Sequence, residues 1–158
     1  MDKKHIVKSY DQELKKLKLK IIEMGLACEK QLSETVKSLK SRDHGLAKKI
    51  IADDASVNAI QPEVQQQTLT LLAMRQPMAI DLRNVIASLK MASDMERIAD
   101  YAANIAEYLN DLNNLPLNEP INIIFDMTDY ASVMLRDAME AYQELSIEKA
   151  VQAWLLDY

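Results

Sequence analysis

The stretch Ser93-Asp94-Met95-Glu96-Arg97-Ile98-Ala99-Asp100-Tyr101-Ala102-Ala103-Asn104 decides how the chain is read. Met95, Ile98, Ala99 and Ala102 recur at intervals of three and four, the spacing of one face of an α-helix. On the same helix Glu96, Asp100 and Asn104 stand four apart. Residues i and i+4 are surface neighbours, so two carboxylates and an amide form one oxygen-rich stripe. Like charges at that spacing repel, and they persist where they are solvated, paired with cations or bridged by a metal ion.

The surrounding composition is that of an all-α protein. Only two of 158 residues are Gly and four are Pro, while 49% are apolar, a balance that favours helices. The length supports one core and is too short for more than one full domain. A net charge of −5 leaves no electrostatic footprint for nucleic acid. Lys15, Lys16, Lys18 and Lys20 cluster, but on a long helix they read as a solvated face. The single cysteine, Cys28, cannot form an internal disulfide and lies in the apolar pattern Gly25-Leu26-Ala27-Cys28, as a small core residue in a reducing cytoplasm would. Met1 to Lys8 is polar with no apolar leader, and no run approaches the length that spans a bilayer. These features predict a cytoplasmic protein without direct membrane insertion.

In chain order, Ser9-x-x-Gln12 reads as a capping box opening a first helix that runs to about Ser41, with Leu14, Leu17, Ile21, Ile22, Met24, Leu32, Val36 and Leu39 at helical spacing. Gly25 inside it costs about 1 kcal/mol relative to Ala, which points to a close helix contact there. Asp43 is placed to cap a second helix, and Pro62 should kink that helix or split it into 44–60 and 62–74. Pro77 suits the first turn of the next helix, from about Pro77 to Leu112. Its first half groups Leu82, Val85, Ile86 and Leu89, whereas its second half groups Met95, Ile98, Ala99, Ala102, Ile105 and Leu109 on the opposite side. The helix is therefore expected to change its buried side partway, leaving Glu96, Asp100 and Asn104 at the surface. Asn110 to Pro120 is the clearest connector, followed by helices over about 121–145 and from Ser146 onward.

An offset of 103 residues overlays the start of the chain on its end. Ile21 falls on Ile124, Met24 on Met127, Leu32 on Leu135, Val36 on Met139, Asp43 on Ser146, Ala47 on Ala150 and Asp54 on Asp157. This predicts a three-helix unit over 1–112 and a partial second unit of two helices over 121–158, in which the counterpart of the Glu96 helix is absent. Leu135, Met139 and their neighbours must then pack on the first unit, pair with another chain or stay exposed. A homodimer or domain-swapped arrangement is the expectation.

Glu96 and Asp100 alone could be a solvated face. Asp54 and Asn58 repeat the spacing one helix earlier, and an antiparallel neighbour would bring them beside Asp100 and Glu96. Such oxygen donors suit hard cations. His5 and His44 lie outside both stripes, no Glu-x-x-His pair exists, and no Cys-His or Ser-His-Asp set or Gly-rich phosphate loop can be read. An enzyme is not expected.

Leu72-Ala73-Met74-Arg75-Gln76-Pro77, Asp81-Leu82-Arg83, Leu89-Lys90 and Asp94-Met95-Glu96-Arg97-Ile98-Ala99-Asp100 with Asn104-Ile105-Ala106 together closely resemble the PhoU family of phosphate-signalling proteins. The match extends over nearly the whole chain, from Ser9-Tyr10-Asp11-Gln12-Glu13-Leu14 through Asp54-x-x-x-Asn58; its specificity lies in order and spacing. The resemblance implies tandem three-helix bundles, each with a Glu/Asp-x-x-x-Asp motif able to hold metal, here iron, zinc, manganese or magnesium. Glu96 and Asp100 match that motif, with Asp54, Asn58 and Asn104 as accompanying positions. It further implies a negative regulator of phosphate uptake and of the starvation response, contacting the transporter's ATP-binding subunit and a sensor histidine kinase. The chain departs from the pattern in covering about one and a half repeats, so the second metal motif is missing. The alternative is a metal-free helical protein-interaction module.

Overall fold

The structure is a computed structural model that describes residues 3–109 and 119–156, with side chains described over 9–109 and 122–156. Six helices occupy the described residues: α1 Lys3–Ser41, α2 His44–Asn58, α3 Ile60–Arg75, α4 Ala79–Tyr108, α5 Glu119–Glu144 and α6 Ile147–Leu155. The all-α expectation holds. The predicted connector at 110–118, the end of the predicted third helix at 110–112 and the pairing of Asp54 with Asp157 lie outside the described residues.

The 39-residue α1 is the common wall, about 58 Å long at the helical rise. It packs against α2, α3, α4 and α5. Leu17, Ile21, Met24, Cys28 and Leu32 are buried along it with Val64 of α3, Val85, Met95 and Ala99 of α4, and Leu135 and Met139 of α5. Leu135 and Met139 thus pack against α1 and the helices beside it. Gly25 makes the predicted close approach: a Cβ built there would lie 2.5 Å from Met139 Cε, so a larger residue would force the Met139 side chain to move. A second cluster joins Leu39 to Ala47 and Ile50 of α2, Ala106 of α4, Leu109 just after it, and Phe125 of α5.

Local chemistry explains the breaks. Asp43 caps α2 through Oδ1, which accepts from Leu46 N at 2.9 Å. The predicted split near Pro62 falls at Ala59, which leaves Pro62 in the first turn of α3, where a missing amide costs no intrahelical bond. Ser9 is not a helix start, because α1 already runs through it; its hydroxyl donates to Glu13 at 3.1 Å and accepts from Arg75 at 2.9 Å. Pro77 is not in the first turn of α4. It precedes an extended cap at Met78, and Gln76 before it is left-handed with φ 47°.

The expected change of buried side in α4 does not occur. Val85, Ser88, Ala92, Met95, Ala99, Ala102 and Ala106 form one continuous buried stripe, while Leu82 and Ile86 are exposed. Small residues win here because they let neighbouring helices approach closely, and Ser88 Oγ spends its hydrogen bonds on Asn84 O at 2.8 Å and Tyr142 OH at 3.2 Å. Ile51 of α2 and Leu69 of α3 are likewise exposed.

The turn into α6 repeats the turn into α2 at the 103-residue offset. Arg42 and Leu145 are both left-handed, with φ 52° and 55°. Asp43 N donates to Ser38 O at 2.9 Å, and Ser146 N to Ala141 O at 3.1 Å. Ser146 then caps α6 by accepting from Lys149 N at 3.2 Å, as Asp43 caps α2.

Candidate functional site

Packing of α2 beside α4, both against α1, gathers four of the five residues picked from sequence. Asn58 Nδ2 donates to Asp54 Oδ2 at 2.7 Å within α2 and to Asp100 Oδ1 at 3.2 Å across to α4. Glu96 lies one turn before Asp100 and feels the charges of both Asp100 and Asp54. All four are half-buried, so the stripe is less open than a solvated face. Asn104 is exposed one turn further along α4, and no hydrogen bond joins it to the other four among the described residues.

Gln31 of α1 belongs to the cluster and was not picked from sequence. Its Nε2 donates to Asp54 Oδ1 at 3.0 Å and to Ala99 O at 3.2 Å. The available signal was a polar run on the buried side of α1: Gln31, Thr35 and Ser38 are all buried, and Thr35 Oγ1 donates to Gln31 O at 2.8 Å and lies 3.2 Å from Ala102 O. These bonds fasten α1 to the backbone of α4 directly beneath the carboxylates.

The electrostatics follow from this crowding. Burial, followed by the Asp100 and Asp54 charges, raises the Glu96 pKa above the usual glutamate value, with Arg97 opposing. Cys28, one turn of α1 from Gln31, is buried and donates to Met95 O at 3.4 Å. Burial and the Asp54 charge push its thiol up to about 12, so it is an inert core thiol.

The donor set is entirely oxygen, the chemistry of a hard cation rather than of zinc. Two buried acceptors, Gln31 Oε1 and Asn58 Oδ1, lack a partner. Orphaned acceptors beside three carboxylates fit a positive charge. Among the described residues no three His, Cys, Asp or Glu side chains stand close enough to hold a metal by themselves. The Asn58 amide occupies the space between Asp54 and Asp100, so a bound ion would need that amide turned to present Oδ1.

A separate cluster fixes the α3–α4 turn. Arg75 Nε donates to Glu13 Oε2 at 3.0 Å and its Nη2 to the other oxygen, while Tyr10 OH donates to Asp81 Oδ2 at 3.0 Å. Arg75 and Asp81, both within the motifs that carry the resemblance, thus brace this turn against α1. Among the described residues no helix is long and apolar enough to cross a membrane.

Residues 21–109 match the family described as PhoU domain. The chain is 32% identical over 154 residues to a phosphate-specific transport system accessory protein PhoU homolog of Caulobacter vibrioides, covering 97% of this chain and 67% of that protein. A protein of the same name from Clostridium acetobutylicum is 31% identical over 146 residues, 92% of this chain and 67% of its own length. The crystal structure of the phosphate transport system regulatory protein PhoU from Streptococcus pneumoniae superposes with a TM-score of 0.82 at 29% identity, covering 91% of this chain and 68% of the other. The chain therefore spans about two thirds of the length of these relatives.

Proposed function

Because the chain belongs to the PhoU family, we propose that it is an accessory regulator of phosphate transport whose α2–α4 oxygen cluster holds a hard metal ion, iron, manganese or magnesium, and helps present a docking face. The single observation that carries the metal is the Asn58 amide lying between Asp54 and Asp100, with Glu96 near enough to feel both charges and with the amide oxygens of Gln31 and Asn58 unpartnered. A metal ion, when bound, supplies the positive charge that offsets carboxylate repulsion. Gln31 and Asn58 hold the carboxylates in place, and Thr35 and Gln31 keep α4 seated on α1. The regulatory reading is supported by the relatives' description as accessory proteins of a phosphate transport system. The partners are the ATP-binding subunit of the transporter and a sensor histidine kinase, met in the cytoplasm.

The test is elemental analysis of chain purified without chelator, beside Glu96→Ala, Asp100→Ala. Metal in the parent and its loss in the double variant is the expected result; equal content in both removes the site. A pull-down from phosphate-replete cells should bring the transporter subunit or the kinase, and recovery of neither rejects the regulatory reading. A metal-free interaction module has one observation in its favour, since Asn58 and Gln31 already satisfy Asp54 and Asp100 by hydrogen bonds. On that reading, chelator changes neither melting temperature nor partner capture.

A further inference from the structure

The lysines clustered early in α1 do not share one environment. Lys20 is held by carboxylates, with Glu23 at 3.1 Å and Glu63 at 2.9 Å. Lys15 and Lys18 instead line a cavity of about 230 Å³ between α1, the early turns of α4 and the end of α5. Leu17, Val85 and Ser88 are buried and form its floor. Leu14 and Tyr142 are half-buried above them, and Lys15, Asn84 and Leu145 are exposed at the rim.

The floor has no donor to offer and the rim has several. Ser88 Oγ donates to Asn84 O at 2.8 Å, so in its 3.2 Å contact with Tyr142 the phenol is the donor, and both hydroxyl protons are spent within the protein. Lys18 Nζ donates to Gln143 O at 2.9 Å and lies 5.8 Å from the centre of the Tyr142 ring. That anchors the ammonium beside the cavity with two N–H groups to spare. Among the described residues no hydrogen bond or ion pair engages Lys15 or the Asn84 side chain, and no carboxylate lines the cavity. A chain of net charge −5 thus holds two like charges one turn apart, with no acid between them, over an apolar hollow.

We propose that this cavity binds a short aliphatic carboxylate, its chain on the floor and its headgroup at the rim. The carboxylate accepts from Lys15, Lys18 and the Asn84 amide, which relieves the repulsion between the two ammoniums. The chain is covered by Leu14, Leu17, Val85 and Leu145, the combination of apolar wall and few convergent polar groups that marks a ligand site. Lys18 already takes the face of the one aromatic ring in the wall, so the surface left to the ligand is aliphatic and suits a chain better than a ring. The volume falls below the roughly 300–1,000 Å³ of sites for drug-sized molecules, which restricts the occupant to a single short chain. Inorganic phosphate, with no apolar part, has nothing to place on the floor. The site does not depend on the α2–α4 cluster.

Titration of the nitrogen-15-labelled 158-residue chain with sodium octanoate at constant ionic strength, followed by amide correlation spectra, tests it. Saturable shifts centred on residues 14–18, 84–88 and 142–145 are expected, with a Kd of about 0.1–1 mM. Octanol, which lacks the charge, and acetate, which lacks the chain, should each bind at least about tenfold more weakly. Inorganic phosphate should not displace octanoate. Lys15→Glu, at an exposed position, should weaken octanoate at least about tenfold with helicity unchanged by circular dichroism. Lys16→Glu, which alters net charge equally but lies outside the cavity, should leave binding intact. No saturable shift below about 10 mM, shifts scattered over the surface, octanol or acetate binding as well as octanoate, displacement by phosphate, or equal behaviour of the two lysine variants overturns the proposal.

Discussion

The side-chain amide of Asn58 reaches 3.2 Å across from α2 to the carboxylate of Asp100 on α4 while holding Asp54 at 2.7 Å. One neutral group therefore separates two negative ones. Asn58→Ala removes both bonds and leaves the carboxylates facing each other; a loss of about 1–2 kcal/mol is expected in urea unfolding in chelator. Added manganese should recover part of that loss.

The raised pKa of Glu96 sets a pH signature. A carboxyl whose folded pKa lies above its unfolded one binds its proton more readily when folded. Its ionisation therefore subtracts stability as pH climbs from the ordinary glutamate value through the raised one. The penalty is absent below that window and complete above it. In chelator at pH 7, Glu96→Gln should melt about 1–2 °C higher than the parent, and the gap should close near pH 4. Identical melting curves at both pH values would contradict the placement of Glu96 beside Asp100 and Asp54.

Gly25 and Met139 should be coupled. Gly25→Ala gains about 1 kcal/mol of helix propensity but drives a Cβ into the Met139 side chain, for a net loss of about 1 kcal/mol. In a Met139→Ala background, where the obstruction is gone, the same change should stabilise by about 1 kcal/mol. A double-mutant cycle with zero coupling would show that α5 does not seat on α1 at this point.

Cys28, with its thiol pushed up to about 12 by burial and by Asp54, should resist iodoacetamide at pH 8 in the folded chain. Its alkylation should be at least about a hundredfold slower than in urea, because reaction waits on opening of the α1–α4 contact. Rapid alkylation of the native protein would place the thiol outside the core.

Much of this architecture was legible in the residues. Periodicity located the helices, Asp43 and Ser146 announced their capping roles, and the 103-residue offset anticipated matching turns at Arg42 and Leu145. The buried side of α4 was misread because hydrophobic counting weighs Leu82 and Ile86 above Ser88 and Ala92, whereas close helix packing prefers the smaller pair. Glu96, Asp100, Asp54 and Asn58 could be picked by spacing because each pair lies on one helix. Gln31 escaped because its partners are 23 and 68 residues away, and only packing of α1 beneath α2 and α4 brings them together.

Gln31 and Gly25 lie six residues apart on α1, about 9 Å along its axis. The first grips Asp54 and the α4 backbone, and the second is the point where α5 seats through Met139. One helix therefore has the acidic cluster bearing on one flank and α5 bearing on the other. Because the two contacts share less than two turns of α1, whatever displaces that stretch displaces both of them.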